Sequence, residues 1–166
     1  LKSLDILLEN YTNFTKAKNL RNSANMGLGA NLAGKAINIS KTTLPHALSY
    51  PFTTIYDIPH GHAVSLTFNK FLKYNFFNMN KNNANFSLEE RFNKLFKITK
   101  TNNIFELDYF FASLKKKSFL EQDFLKLGIN LDKDIDKILK GINNQRLKNN
   151  PIEVNKKEIK KIINNL

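Results

Sequence analysis

The sequence of 166 residues contains no cysteine, no tryptophan and only three histidines. The absence of cysteine excludes disulfide bonds, thiol catalysis and any metal site made of thiolates. No run of about 18 consecutive apolar residues occurs, which excludes a membrane-spanning helix. The first residues have no basic segment followed by an apolar run, so they do not read as a signal peptide. We therefore expect a cytoplasmic protein without a membrane partner.

The sequence is basic, but its positive charge is not concentrated in one place. Lysine and arginine total 26 against 14 acidic residues, for a net charge of +12, and both halves of the chain share the excess. Proteins that bind nucleic acids usually gather lysine and arginine on one face or in one arm. The pattern therefore favours no nucleic-acid partner. A basic helical module that binds nucleic acid, and a helical interaction module without catalysis, are kept as the alternatives.

Apolar residues recur at helical spacing along almost the whole chain, which predicts an all-α fold. No linker rich in glycine, serine or proline interrupts it, so we expect one domain over residues 1–166. Pro51 should stop or kink one helix, and Asp57 should cap the next. The small residues Ala24, Gly27, Ala30 and Gly34 should form a stripe on which another helix packs. The predicted helices cover residues 4–14, 20–39, 44–51, 57–72, 87–98, 104–116, 118–127, 132–142 and 156–163.

The three histidines are His46, His60 and His62, which all lie within 17 residues. His46 is near the start of one predicted helix and His60 is in the first turn of the next. Two antiparallel helices joined by a short reversal would bring these two imidazoles together. Imidazole suits Zn, Fe or Ni, at about 2.0–2.2 Å from the ion. On spacing alone, capping or surface histidines explain the pattern equally well.

The segment 46–63 resembles the signature of the iron-containing alcohol dehydrogenases. Its features are a histidine followed by alanine, a step of fourteen residues, and then Pro-His-Gly at 59–61. Upstream, residues 25–30 look like the helix that leads into the site of that family. Downstream, Asn-Asn-Pro at 149–151 and a terminal helix are similar to its C-terminal tail. A zinc-dependent relative of the glycerol dehydrogenase or dehydroquinate synthase type is the nearest alternative.

The resemblance implies a role for two of the histidines. His46 and His60 would be two of four protein ligands to a catalytic Fe²⁺ or Zn²⁺. In this family an aspartate and a histidine supply the other two and precede this region, as does the α/β domain that binds NAD(P). We therefore expect this chain to be the helical C-terminal domain of the dehydroquinate synthase-like fold, without the N-terminal domain. It would be part of an enzyme that moves a hydride between NAD(P) and a small alcohol or aldehyde, and inactive alone.

The resemblance also implies a group that relays a proton. Many family members carry a second histidine one helical turn after the first, and here that position is Tyr50. Tyrosine can pass a proton, although its ordinary pKa of about 10 lies far from neutrality. His62 is the candidate replacement, and a histidine that only faces solvent is the alternative there.

The local sequence at residues 34–43 and 59–64 looks most like the phosphonoacetaldehyde reductase branch of that family. The substrate would then be an anionic aldehyde, held by Lys35, Ser40, Lys41 and Thr42 beside the metal. Each of these side chains could instead be solvated or cap a helix. Separation from a partner domain should leave an apolar cleft that contains a histidine, through which a homodimer could form.

Overall fold

The computed structural model describes residues 1–142 and 144–164, with Asn144 described by its backbone only. All regular structure in these residues is helical, so the predicted all-α fold is confirmed. A short 3-10 turn, Met79–Lys81, follows the fourth helix, and none of the described helices is long and apolar enough to cross a membrane. The helices are α1 Lys2–Lys16, α2 Leu20–Ser40, α3 Leu44–Tyr56, α4 His60–Phe77, α5 Leu88–Thr99, α6 Ile104–Lys117, α7 Leu131–Lys140, α8 Asn144–Leu147 and α9 Lys156–Asn164.

Short polar side chains define where several helices begin. The hydroxyl of Ser87 accepts a hydrogen bond from the Glu90 amide at the start of α5. The side chain of Asn103 accepts two amide bonds at the start of α6. Each side chain satisfies an amide that the helix itself leaves without a partner. These caps are local, and the helix starts they define agree with those predicted from the sequence.

Two apolar clusters hold the helices together. The larger joins α3, α4, α7 and α9, and the smaller joins α5 and α6. Helix α3 is the most deeply buried, whereas α1 buries no residue and α2 buries only Gly29. A helix held on several sides is a rigid base for functional side chains. The buried residues of α3 are Leu44, Pro45, Ala47, Leu48, Ser49, Pro51 and Phe52.

Helices α1 and α2 pack closely at one glycine. A Cβ atom on Gly29 would lie 2.7 Å from both Cγ and Cδ2 of Leu7, so only glycine permits this approach. The predicted packing stripe was wrong, because α1 packs on a neighbouring face of α2. A Cβ atom added to Gly27 or Gly34 would meet nothing within 4 Å. The whole stripe is exposed: Ala24, Gly27, Ala30 and Gly34.

Three local predictions about helix ends were also wrong. Helix α3 does not stop at Pro51 but continues to Tyr56, and the proline ring is buried beside Gly141. Asp57 ends α3 in the left-handed conformation, with φ of 54°, and does not cap α4. The predicted helix over 118–127 is a series of turns. There Phe119 adopts a φ of 56°, which an α-helix does not allow. The carboxylate of Glu121 accepts hydrogen bonds from the backbone amides of the next two residues.

One lysine links α4 to the turns after α6. The Nζ atom of Lys115 donates to the carbonyl oxygen of Ser65 at 2.7 Å and to Oε1 of Gln122 at 2.9 Å. Burial, opposed by the nearby Asp108 carboxylate, lowers the pKa of Lys115 to about 8. The charged lysine therefore costs the fold stability, although its hydrogen bonds hold these segments in place.

Candidate metal centre

The structure brings His46 and His60 together. Their ring centroids are 5.5 Å apart and the rings are tilted by 58°. His46 lies in the first turn of α3, after Pro45, and His60 is the first residue of α4. The chain reverses between these helices at residues 57–59, which returns the start of α4 to the middle of α3. The proximity predicted from the sequence is confirmed.

The environment favours the neutral form of His46. Burial lowers the pKa of His46, and the positive charges of His60 and Arg146 lower it further. A neutral imidazole keeps one nitrogen lone pair, and metal ions bind through that lone pair. At neutral pH, the imidazole of His46 therefore has a lone pair with which it could bind a metal cation.

The two rings fit a shared metal ion. An ion about 2.1 Å from a nitrogen of each ring would lie roughly 3.2 Å from each centroid, so the rings could be up to about 6.4 Å apart. The observed 5.5 Å satisfies that limit. No group of three or more His, Cys, Asp or Glu side chains able to hold a metal occurs among residues 1–142 and 144–164. In the described part of this chain, the histidine pair could thus supply two ligands, half the number in a tetrahedral site.

Ser49 lies directly beneath the histidine pair and was missed by the sequence analysis. It is fully buried in α3, and its Oγ atom is 3.2 Å from Nδ1 of His60. The same atom donates to the carbonyl oxygen of His46 at 2.8 Å. The only available signal was the spacing of three residues from His46, which places both side chains on one helix face.

Arg146 is the second residue that the sequence analysis missed. Its guanidinium group lies over the ring of Tyr50, 4.8 Å from the centroid, and its Nη1 donates to the Thr42 hydroxyl at 3.0 Å. The Tyr50 ring in turn lies 6.0 Å from the ring of His60. The predicted proton-transfer residue therefore does lie beside the histidine pair. The sequence feature that could have indicated Arg146 is the rarity of arginine, since the chain has only three arginines.

A cleft of about 330 Å³ opens beside His46. Its walls are mostly apolar and come from α3, α4 and the end of α2, so the histidine-containing cleft expected from the sequence is present. Thr42 is buried at its edge, where its hydroxyl accepts from Arg146. The lining residues are Ile37, Lys41, Thr42, Thr43, Pro45, His46, Val64, Phe68, Phe71, Leu72 and Asn75.

Two of the other predicted substrate residues do not line this cleft. Lys35 is exposed on α2, and the Ser40 hydroxyl donates to the Ala36 carbonyl oxygen of its own helix. Lys41 does line the cleft, where it is the cation among the lining residues. Of the four predicted anion-binding residues, the structure therefore places Lys41 and Thr42 beside His46.

His62 faces away from the pair. Its Nε2 atom lies 2.5 Å from the Glu121 carbonyl oxygen, in the turns after α6. Because a carbonyl can only accept, this contact requires the proton on Nε2 of His62. Residues two apart on a helix point in nearly opposite directions, which explains why His60 and His62 have different neighbours. A catalytic role for His62 stays a prediction.

Comparison with known proteins agrees with this fold. The sequence profile of the Fe-containing alcohol dehydrogenase family, C-terminal domain, matches residues 1–166. The chain belongs to that family, whose members include alcohol dehydrogenases and reductases. Its helical fold is accordingly that of the C-terminal domain of these oxidoreductases.

Individual relatives cover the chain to different extents. The phosphonoacetaldehyde reductase of Streptomyces viridochromogenes is 41% identical over 46 residues, which are 28% of this chain and 12% of the relative. An archaeal halo-thermophilic alcohol dehydrogenase from a Red Sea brine pool is similar in structure, with a TM-score of 0.83 and 19% identity over 97% of this chain. This chain spans 42% of that enzyme. Sulfoacetaldehyde reductase from Bifidobacterium kashiwanohense, solved with NAD⁺, gives a TM-score of 0.70 and 24% identity, over 86% of this chain and 35% of that one.

Proposed function

We propose that this chain is the metal-binding C-terminal domain of a metal-dependent alcohol dehydrogenase or aldehyde reductase. His46 and His60 would hold Fe²⁺ or Zn²⁺. The observation that carries the proposal is the pair of imidazoles 5.5 Å apart, one in the first turn of α3 and the other at the start of α4. Its occurrence in a domain of this oxidoreductase family makes the metal role the simplest account of the pair.

The complete enzyme would need a further segment. The chain spans about two fifths of the solved alcohol dehydrogenase to which it is similar. A preceding domain would bind NAD(P) and contribute an aspartate and a histidine as the other metal ligands. With two of four ligands, the chain alone should bind metal weakly and be inactive. We further propose that the enzyme works in the cytoplasm as a homodimer.

The residues described above would have different roles in the reaction. When bound, the metal would polarise the carbonyl oxygen of the aldehyde, and the nicotinamide would supply the hydride. The apolar walls of the cleft would keep water from the reacting carbon. The hydroxyl group of Tyr50, whose ring centroid lies 6.0 Å from that of His60, would hold the proton that passes to or from the alcohol oxygen. His62 is the second candidate for that proton.

The substrate proposed is a small anionic aldehyde such as phosphonoacetaldehyde. Two of the similar proteins are named for aldehydes that carry an anionic phosphonate or sulfonate group. Thr42 lines the cleft, and Lys35 and Ser40 are the other groups proposed to bind the anion. Lys41 also lines the cleft and offers a positive charge near His46.

The test is an assay of NAD(P)H oxidation by the chain joined to its proposed upstream domain. Turnover should depend on added Fe²⁺ or Zn²⁺ and should be lost in His46→Ala and in His60→Ala. The control is Ser65→Ala, which removes a hydroxyl that donates to the carbonyl oxygen of His62 within α4. A folded protein that shows no turnover with either metal, or full turnover in both histidine variants, would overturn the proposal.

The substrate class is tested with a matched pair of aldehydes. Lys35→Ala and Lys41→Ala should each raise KM for phosphonoacetaldehyde more than KM for a neutral aldehyde of similar size. If KM changes equally for the two aldehydes, neither lysine recognises the anion. Equal kcat/KM for the two aldehydes in the unaltered enzyme would overturn the anionic substrate and leave the dehydrogenase reaction in place.

A further inference from the structure

The hydroxyl of Ser49 joins the two histidines of the proposed metal site. Its Oγ atom is 2.8 Å from the carbonyl oxygen of His46 and 3.2 Å from Nδ1 of His60. The Ser49 side chain is fully buried, so water does not reach its hydroxyl group, although His60 itself is exposed. The hydroxyl group must therefore divide its one proton and its lone pairs between these two neighbours.

A hydroxyl has one proton to donate and two lone pairs to accept with. The carbonyl oxygen of His46 can only accept, and 2.8 Å is an ordinary O–H···O distance. If the Ser49 proton pointed elsewhere, two buried oxygen atoms would face each other with no proton between them. The proton of Ser49 therefore lies toward His46. At the other contact Oγ must accept, so Nδ1 of His60 must carry a proton.

We propose that Ser49 is a positioning residue that holds His60 in the tautomer with the proton on Nδ1. A neutral imidazole carries one proton, so Nε2 of His60 keeps its lone pair and is the atom that would bind the metal. The ligand role of Nε2 rests on the proposed function, whereas the tautomer rests on the hydrogen bonds alone. Histidines that bind metals usually donate their second nitrogen to such a partner, which fixes the ring.

The position of Ser49 in the fold makes this contact rigid. Ser49 lies three residues after His46 in the buried helix α3, and its hydroxyl is anchored to the backbone of His46 itself. Through one side chain, the helix that carries the first imidazole thus orients the second.

The tautomer can be measured directly in the isotope-labelled chain without metal. Two-bond ¹⁵N–¹H correlation spectra, recorded at a pH where His60 is neutral, show which ring nitrogen carries the proton. We expect the proton on Nδ1 of His60 in the unaltered chain and a shift toward Nε2 in Ser49→Ala. The matched control is Ser65→Ala, since the Ser65 hydroxyl makes the same bond, to the carbonyl of His62 at 2.8 Å. Far-UV circular dichroism verifies that each variant is folded.

The metal role is measured separately, as Zn²⁺ affinity by competition with a chromophoric chelator in the chain joined to its upstream domain. Ser49→Ala should weaken Zn²⁺ binding about 10-fold, and Ser65→Ala should leave it unchanged within about twofold. A proton on Nε2 of His60 in the unaltered chain, or no change of tautomer in Ser49→Ala, overturns the proposal. A changed tautomer with unchanged affinity overturns the ligand role of Nε2. An unaltered enzyme that binds no zinc overturns the proposed function itself, while the spectra still decide the tautomer.

Discussion

Replacement of Arg146 by methionine tests how the C-terminal part of the chain supports the candidate site. Methionine keeps an apolar side chain of similar length but removes the charge and the hydrogen bond to Thr42. A partly exposed contact between a cation and an aromatic ring contributes about 1 kcal/mol. A hydrogen bond from a charged donor contributes about 1.5–3 kcal/mol. We therefore expect Arg146→Met to lower the free energy of unfolding by about 2.5–4 kcal/mol.

Urea unfolding followed by circular dichroism measures this loss. Arg91→Met is the matched control, because Arg91 also lies over an aromatic ring, 5.2 Å from the centroid of Phe86, but is exposed. It should cost no more than about 1 kcal/mol. If Arg146→Met and Arg91→Met lower the free energy of unfolding equally, the bond to Thr42 contributes nothing and the reasoning is refuted.

The same substitution should change the titration of His46. The positive charge of Arg146 is one of the groups that lower the pKa of His46. Arg146→Met should therefore raise that pKa, as followed by NMR. A lowered histidine pKa costs stability below the unfolded value of about 6.5 and costs nothing above it. The stability lost in Arg146→Met should thus be smaller at acidic pH than at pH 8, and an unchanged or lower pKa of His46 would contradict this account.

Three further predictions concern packing and pH. Gly29→Ala should lower the free energy of unfolding by about 1–3 kcal/mol, because its Cβ would lie 2.7 Å from a leucine of α1. Gly27→Ala should instead stabilise α2 by up to about 1 kcal/mol, because its Cβ would meet nothing within 4 Å. Thermal unfolding of both variants tests this pair of predictions. Phe52→Ala should cost about 3–5 kcal/mol in urea unfolding, because Phe52 is fully buried, whereas Phe119→Ala, at a position 96% exposed, should change stability by less than about 0.5 kcal/mol. The pKa of Lys115 is lowered to about 8 in the fold from about 10.4 in the unfolded chain, so the unfolded chain binds more protons between these values. Stability should therefore rise from about pH 8 to pH 10, and Lys115→Met should remove that rise.

The family resemblance and the local sequence were enough to predict that His46 and His60 lie close together. Pro45 and the reversal at 57–59 are sequence features, and they place His46 and His60 at the starts of successive helices. The caps at Ser87 and Asn103 are equally local. Such features depend on a few neighbouring residues, so the sequence alone indicated both the helices and the pair of imidazoles.

Only the tertiary structure decided which other side chains surround that pair. Arg146 reaches Thr42 across 104 residues of sequence, and no local pattern predicts a contact of that separation. Helix α3 continues through Pro51 because the proline ring is buried against α7, which outweighs the lost hydrogen bond. The face of α2 that meets α1 was equally undetermined, since apolar and small residues occur on more than one of its faces. Local propensities act over one or two helical turns, whereas these outcomes depend on which surfaces the folded chain buries together.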